Sequence, residues 1–490
     1  MKKLYILPLL LAIMLMGCEK HVSLVPTSQI TQESFFKTEN DAQSAINGMY
    51  YRMREMVSSV DLFMWGEGRS EIHTNSFAGD LGYTKYYNNN LTKDNPGPSW
   101  DNAYRTINQT NLILKYAPNI NFVNPNDKKD VLAQAYTMRA FVYFVLARTY
   151  GGVPLRLEPT EGFDPVAIQV ARSTEAQVFA SIKSDIDAAI GLYSTNNTVT
   201  GKGKWSKPAA NALKGDVYLW TGRRLGGGTP DATIALAALN DAVAAPGVGL
   251  EANYADVFRY TNKGNKEILM AVKFSTTEGG NQVWAQNMYS SQASYPAYVP
   301  ASQIAIVGTP LAGNGNVWRI TPNVRGQFSN SDTRKAATYI DLQGTNPGEY
   351  YTTYGLKYNG TVENGTRFFT SDFVLYRLGD VLLLRAEAKN ALLQDPSGDM
   401  NTIRQRAYGA GYPVFVNGSQ TQNYDAILQE RLFELTLEAK RWWDLIRFGK
   451  AFDLVPSLVG KSAQTHLLYF PIGTSTTAKE TKVTETPGWQ

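Results

Sequence analysis

The chain has little of what marks a redox protein, a metalloprotein or a nucleic-acid binder. It holds one cysteine in 490 residues. One cysteine makes no internal disulfide, so no oxidative staple holds the fold. The three histidines, His21, His73 and His466, stand at no metal-ligand spacing with one another or with the cysteine. No metal site and no cofactor is therefore expected. No G-x-S-x-G elbow and no H-E-x-x-H motif occurs. Gly201-Lys202-Gly203 and Gly226-Gly227-Gly228 read as turns without the flanks of a phosphate loop. Charged residues make up 18% of the chain and the net charge is +4. That charged share is below the usual quarter. No basic block is present, which argues against nucleic acid as a ligand. Beyond the first twenty residues no segment is apolar enough to span a membrane.

What is plentiful is aromatic surface. Tyr (28) outnumbers Phe (20), and nine Trp join them. Tyr and Trp suit wet binding faces, because the ring packs while the polar tip bonds.

The N-terminus reads MKKLYILPLLLAIMLMGCEK. Lys2 and Lys3 form a positive start, and an apolar run follows over residues 4–16. The run fits a secretory signal rather than a spanning helix. It ends in Leu15-Met16-Gly17-Cys18, which resembles a bacterial lipobox. Cleavage before Cys18 is expected, with acyl chains such as palmitate carried on Cys18. Each buried CH₂ contributes about 0.8 kcal/mol, so several chains anchor firmly. An incidental cysteine beside an ordinary signal cleavage site is the alternative. Residues 1–17 read as signal peptide, 18–38 as a lipidated tether, and 39–490 as one domain.

Helices are expected at residues 41–56, 101–116, 127–150, 174–192, 207–225 and 232–245, from apolar residues at 3–4 spacing with caps and stops. Their small residues at contact spacing resemble tetratricopeptide-like hairpins, although no fixed 34-residue period is kept. From residue 251 to 371 the text turns to Pro, Gly, Asn, Tyr and Ser with short β-like pieces. Long ordered loops in compact proteins are usually functional. Helix returns at 372–393, 401–407 and 424–449. The helical body is thus 39–250 and 372–450, with a loop-rich ligand region between.

The last helical stretch contains QERLFELTLEAKRWWDLIRFGK. On one helix, Leu428, Leu432, Leu435, Ala439, Trp442 and Ile446 form an apolar stripe. Arg431, Glu434, Glu438 and Arg441 form a second row, spaced so that opposite charges meet. Glu434 and Glu438 have the look of a catalytic acid pair. The flanking arginines lower carboxyl pKa values, whereas a general acid needs the opposite shift. The row therefore reads as a structural ion ladder, with Trp442 in the core. Trp443 falls between Lys440 and Arg447, within reach of a cation–π contact.

The chain resembles the SusD/RagB family. The resemblance rests on the lipobox, on "WDNAYRTINQTNLIL" from Trp100, "RAFVYFVLARTYGGVPL" from Arg139 and "WSKPAANALKGDVYLWTG" from Trp205. It continues through "DFVLYRLGDVLLLRAEAKN" from Asp372, "NTIRQRA" from Asn401 and "ERLFELTLEAKRWWDLIRFG" from Glu430. Two departures stand out. Gly379-Asp380 replaces a common Ala-Glu, and the C-terminal "FPIGTSTTAKETKVTETPGW" loses the family's middle segment. The resemblance implies a mostly α fold of four tetratricopeptide-like helix pairs with a loop-rich ligand region and little β. It implies a lipoprotein on the outer membrane, facing the cell exterior. Such a protein binds oligosaccharides without cleaving them and hands them to a SusC-like TonB-dependent transporter. Peptides replace glycans in the RagB-like branch. A lipid-anchored glycoside hydrolase, or a helical scaffold with protein partners only, is the alternative from another class.

Binding a glycan needs flat aromatic faces and hydrogen-bonding side chains. Two loop clusters offer both. The first gives Tyr83, Tyr86, Tyr87, Trp100 and Asn102, and the second gives Trp284, Tyr289, Tyr298, Trp318 and Arg319. The family resemblance points first to Trp100 and Asn102. For each aromatic, packing into the fold is the competing reading, and Trp65 reads as core.

Overall fold

The computed structural model describes residues 35–489 except 77–78, 163, 279–281, 291–294 and 310–312. The signal segment, Cys18 and the tether as far as residue 34 lie outside the described residues. Helix α1 (Glu39–Ser58) starts where Thr38 and Asp41 cap each other, Thr38 N donating to Asp41 Oδ2 at 2.7 Å. Helix α2 is Asp101–Tyr116. Helix α3 (Pro125–Tyr150) has Asn124 as its cap, Pro at its first position and Gly151 at φ 74° as its stop. That is the order in which Asn, Pro and Gly are used at helix ends. Helix α4 is Glu175–Leu192, α5 is Lys207–Arg224 and α6 is Gly228–Val243. After the loop-rich stretch come α7 (Leu378–Ala391), α8 (Ser397–Tyr408), α9 (Gln420–Leu435) and α10 (Arg441–Phe448). The pairs α1–α2, α3–α4, α5–α6 and α7–α9 pack side by side. The fold is mostly α, as expected. Among the described residues no helix is long and apolar enough to cross a membrane.

Helix α3 is the central rod. Every residue from Thr137 to Tyr150 is buried. A helix buried all round is covered by its neighbours on every side. Its two buried arginines are paired: Arg139 reaches Asp185 at 2.8 Å, and Arg148 reaches Asp216 at 3.4 Å.

Among the described residues, short strands pair as four two-stranded antiparallel ladders, and all of these strands but β1 lie between α6 and α7. Strand β1 (His73–Asn75) pairs with β3 (Trp318–Ile320) in the register His73↔Ile320. Strand β2 (Ile268–Val272) pairs with β8 (Phe373–Arg377), and β4 (Tyr339–Gln343) with β5 (Tyr350–Gly355). Strands β6 (Thr361–Glu363) and β7 (Thr366–Phe368) make the last ladder. The helix expected from residue 372 is corrected here. Phe373–Arg377 is a strand buried along its whole length, and the helix begins only at Leu378. Continuous apolar runs of this length do not separate buried strand from helix by periodicity.

The stretch around Trp442 is also corrected. It is not one helix. Helix α9 ends at Leu435, and Leu437 (φ 72°) and Ala439 (φ 55°) turn the chain before α10 begins. The charged row therefore does not pair along itself. Arg431 bonds Asp380 and Asp444, each at 2.8 Å. Glu434 bonds Arg377 at 2.6 Å, Arg334 at 3.1 Å and also Arg406. Glu438 bonds Arg377 at 2.8 Å and Lys357 at 2.7 Å. Arg441 reaches back to Glu71 at 2.6 Å. These ion pairs tie α9 and α10 to the rest of the body rather than to themselves. Trp442 is fully buried, with the Arg69 guanidinium 4.5 Å from its ring. Trp443 is buried too, and its cation is Arg148 at 3.9 Å rather than Lys440 or Arg447.

This ion cluster explains Gly379. A Cβ there would collide with the Arg377 guanidinium and stand 2.6 Å from Glu434 Oε1 and 3.1 Å from Glu267 Oε1. Gly379→Ala is expected to lower stability by about 1–3 kcal/mol, the usual cost of overpacking. Urea denaturation of the variant beside the parent measures it. The neighbouring Asp380 fits the same frame, bonded to Arg431 and Lys440, each at 2.8 Å.

Lys357 sits inside the cluster, donating to Glu438 Oε1 at 2.7 Å and to the Glu434 carbonyl at 3.0 Å. Burial pulls its pKa down to about 8, against the attraction of Glu438. The unfolded lysine keeps its proton up to about pH 10.4. Between those values the unfolded chain binds more protons than the native one, so this group makes stability rise with pH. Denaturation midpoints taken from pH 7.5 to 9.5 are expected to show that slope reduced in Lys357→Met.

Candidate ligand-binding platform

The two aromatic clusters meet, but not through all the residues expected. In the first, Asp80 Oδ1 accepts the N–H groups of Gly82 (2.8 Å), Tyr83 (3.1 Å) and Thr84 (3.2 Å). This local turn aims Tyr83 and opens the short helix Thr84–Tyr87. An Asp side chain that captures following backbone amides in this way competes with longer regular structure. Tyr83 is half-buried, and its ring stands edge-on to Trp318 at 4.6 Å. Its hydroxyl accepts from Asn287 Nδ2 at 3.2 Å, and Asn287 Oδ1 accepts from Asn314 Nδ2 at 3.0 Å. Burial raises the Tyr83 pKa, so the phenol keeps its proton for donation.

In the second cluster, β3 alternates buried, half-buried, buried. The pleat sends Trp318 and Ile320 inward and Arg319 out. Arg319 lies over the Tyr350 ring at 5.1 Å, and Arg325 lies on the same ring at 5.2 Å. Tyr350 shares a 2.7 Å hydroxyl contact with Thr353, whose Oγ1 donates to Asp341 at 2.6 Å. Among the described residues the Arg319 side chain makes no hydrogen bond and no ion pair, and its Nε is a buried donor without an acceptor. Beneath lies a buried knot. Asn316 (φ 55°) accepts from Ser76 and Thr352 and donates to the Met288 carbonyl, so four distant segments are pinned together.

These loops supply two half-buried phenol rings, the exposed Asn314 amide and one guanidinium without a hydrogen-bond or ion-pair partner among the described residues. Donors and acceptors beside apolar ring faces can hold a polyhydroxylated chain.

Other expected site residues are placed elsewhere. Trp284 and Trp318 do not offer free faces. Both are buried, and Phe63 stacks on them at 4.4 and 5.9 Å, so they form the floor. Tyr289 is buried against Tyr354 at 4.9 Å and donates to the Gly355 carbonyl at 2.7 Å. Tyr86 is buried beside Phe470, and Tyr87 is half-buried. Tyr298 is 38% exposed, with no ring contact to this group among the described residues. Trp100 is only 2% exposed and borders a separate cleft of about 420 Å³ along α2, together with Arg105 and Asn108. Asn102 is spent on Asp61 at 3.1 Å. Asn287, Asn314 and Tyr350 are additions. Asn314 lies in the Asn-rich run at 313–316, and nothing in the sequence marked Asn287 or Tyr350 apart from their like.

The acid pair of the brace lacks the raised pKa that a general acid needs. Glu434 and Glu438 are buried, and Arg377 with its neighbours holds both carboxyls below the usual range against the opposing effect of burial. Among the described residues no group of three or more His, Cys, Asp and Glu is arranged to hold a metal.

Comparison with known proteins gives a consistent picture. Residues 311–489 match the model described as "SusD family", and residues 26–219 match one described as "Starch-binding associating with outer membrane". SusD-like protein P38 of Formosa agariphila is 28% identical over 486 residues, covering 91% of this chain and 90% of that protein. The structure of B. fragilis NanU is similar with a TM-score of 0.84 and 30% identity, covering 95% of this chain and 99% of that one. A SusD superfamily protein from Bacteroides vulgatus has a TM-score of 0.79 at 28% identity, covering 93% and 100%.

Proposed function

The chain belongs to the SusD family, and from that membership we propose that it is a surface lipoprotein that binds oligosaccharides without cleaving them and passes them to a SusC-like TonB-dependent transporter. One observation carries the binding reading: the Arg319 guanidinium, with no hydrogen-bond or ion-pair partner among the described residues, lies over the Tyr350 ring. Arginine presents donors in a fixed fork, and a half-buried one left unpaired is a ready partner for ligand oxygens. The matching model's description, starch-binding and outer-membrane association, supports sugar as the ligand and the outer membrane as the place. In this reading Cys18 carries the lipid, residues 18–38 form the tether, and 39–490 form the binding domain, exposed to the cell exterior.

The brace supports binding without cleavage. Its carboxylates are ionised and shut away from any ligand, so they supply no proton to a glycosidic oxygen. Incubating the purified protein with neutral oligosaccharides tests this. The expected result is saturable binding with no new chain lengths over hours. Growth of shorter products would replace this reading with a hydrolase, and binding of a peptide pool in place of glycans would replace the ligand.

A further inference from the structure

We propose that a cleft between α1 and the turn before α5 is a second saccharide site, built for the carboxylate or sulfate of an acidic sugar. The cleft measures about 380 Å³. That lies at the small end of ligand cavities, enough for one or two sugar rings. Asn47, Tyr51 and Arg54 line it from α1, at spacing that puts them on one helix face. Lys204 lines it from the Gly201-Lys202-Gly203 turn, and Lys273 from the end of β2.

The charge pattern singles out one group. Arg54 is paired with Glu278, and Lys273 with Asp372. Lys204 is half-buried and, among the described residues, has no hydrogen-bond or ion-pair partner. Burial lowers its pKa, as it must for an ammonium with no counter-charge. A bound anion would supply that counter-charge. The turn that presents it is strained. Gly201 has φ 74° and Lys202 has φ 58°, a conformation that favours glycine. Strain of this kind is found where a backbone is held for a purpose. The lining also has a ring for stacking. Tyr51 is 49% exposed, although Arg54 sits near it at 5.6 Å. A single ammonium is a point charge and suits one anionic substituent, and the ring and the Asn47 amide suit the sugar that bears it.

Calorimetric titration of the purified protein with a uronic-acid disaccharide, a sulfated disaccharide, their neutral parent and sodium sulfate tests the site. At least one acidic disaccharide is expected to bind tenfold or more tightly than the neutral parent and to weaken as salt rises. The tighter of the two identifies the anion. Lys204→Gln and Tyr51→Ala are each expected to weaken it at least tenfold at an unchanged melting temperature, while Arg319→Ala leaves it alone. Equal binding of the neutral parent, or no effect of both substitutions, overturns the proposal. Sulfate binding as tightly as the disaccharides also overturns it, since that outcome is an adventitious ion only. The platform reading is tested with neutral glycans and Arg319→Ala, so either can fail without the other.

Discussion

Arg377→Ala is expected to lower stability by about 3–5 kcal/mol, the usual consequence of breaking a buried ion pair from one side. Arg377 is fully buried. Its guanidinium bonds Glu267 at 2.8 Å, Glu434 at 2.6 Å and Glu438 at 2.8 Å, and donates to the Glu434 carbonyl at 2.8 Å. Removing it leaves three carboxylates with only Arg334, Lys357 and Arg406 to balance them. Domains hold only about 5–15 kcal/mol in all, so the loss is a large share. Arg377→Lys is expected to recover only part of it, because one ammonium cannot reproduce a planar fork touching three acids. Guanidinium denaturation midpoints of both variants measure the effect. A midpoint equal to the parent's would show that the cluster does not hold the body together.

Arg319→Ala is expected to weaken neutral-glycan binding roughly 10–100-fold while leaving the melting temperature unchanged. A hydrogen bond to a charged group contributes about 1.5–3 kcal/mol, which sets that range. The fold does not depend on the side chain, since among the described residues it bonds nothing and only overlies Tyr350. Tyr350→Ala is expected to weaken binding by a similar factor through loss of the ring. Tyr83→Ala is expected to do so with some loss of stability, because its ring packs on Trp318 and its hydroxyl holds Asn287. Trp100→Ala separates the platform from the cleft along α2. It is expected to destabilise the protein, since Trp100 packs on Tyr104 and Tyr150, without a selective loss of affinity.

The helices were legible because their ends are written in side chains. The Gly151 stop of α3 could be read from the sequence, whereas its start, expected at residue 127, comes two residues earlier at the Asn124–Pro125 cap. The strand Phe373–Arg377 could not, because a buried strand shows no alternation. The break between α9 and α10 was hidden as well. Leu437 and Ala439 adopt left-handed backbone without the glycine that announces it. Their turn is held instead by Glu67, which accepts the N–H groups of Leu437 at 2.9 Å and Ala439 at 3.0 Å from hundreds of residues away. The platform was half legible. Text identified two aromatic loops, but which tryptophans face the core depends on Phe63 stacking between Trp284 and Trp318. Tyr350 and Arg319 meet only because β3 packs beside β5.

The most direct measurement is a crystal structure of the protein soaked with the tightest binder from an array of neutral α- and β-linked oligosaccharides. The account predicts an intact glycan chain with hydroxyls within hydrogen-bond distance of Arg319 and the Asn314 amide, and a sugar ring against Tyr350 or Tyr83. An intact chain seated only in the cleft along α2, or a cleaved one anywhere, would contradict it.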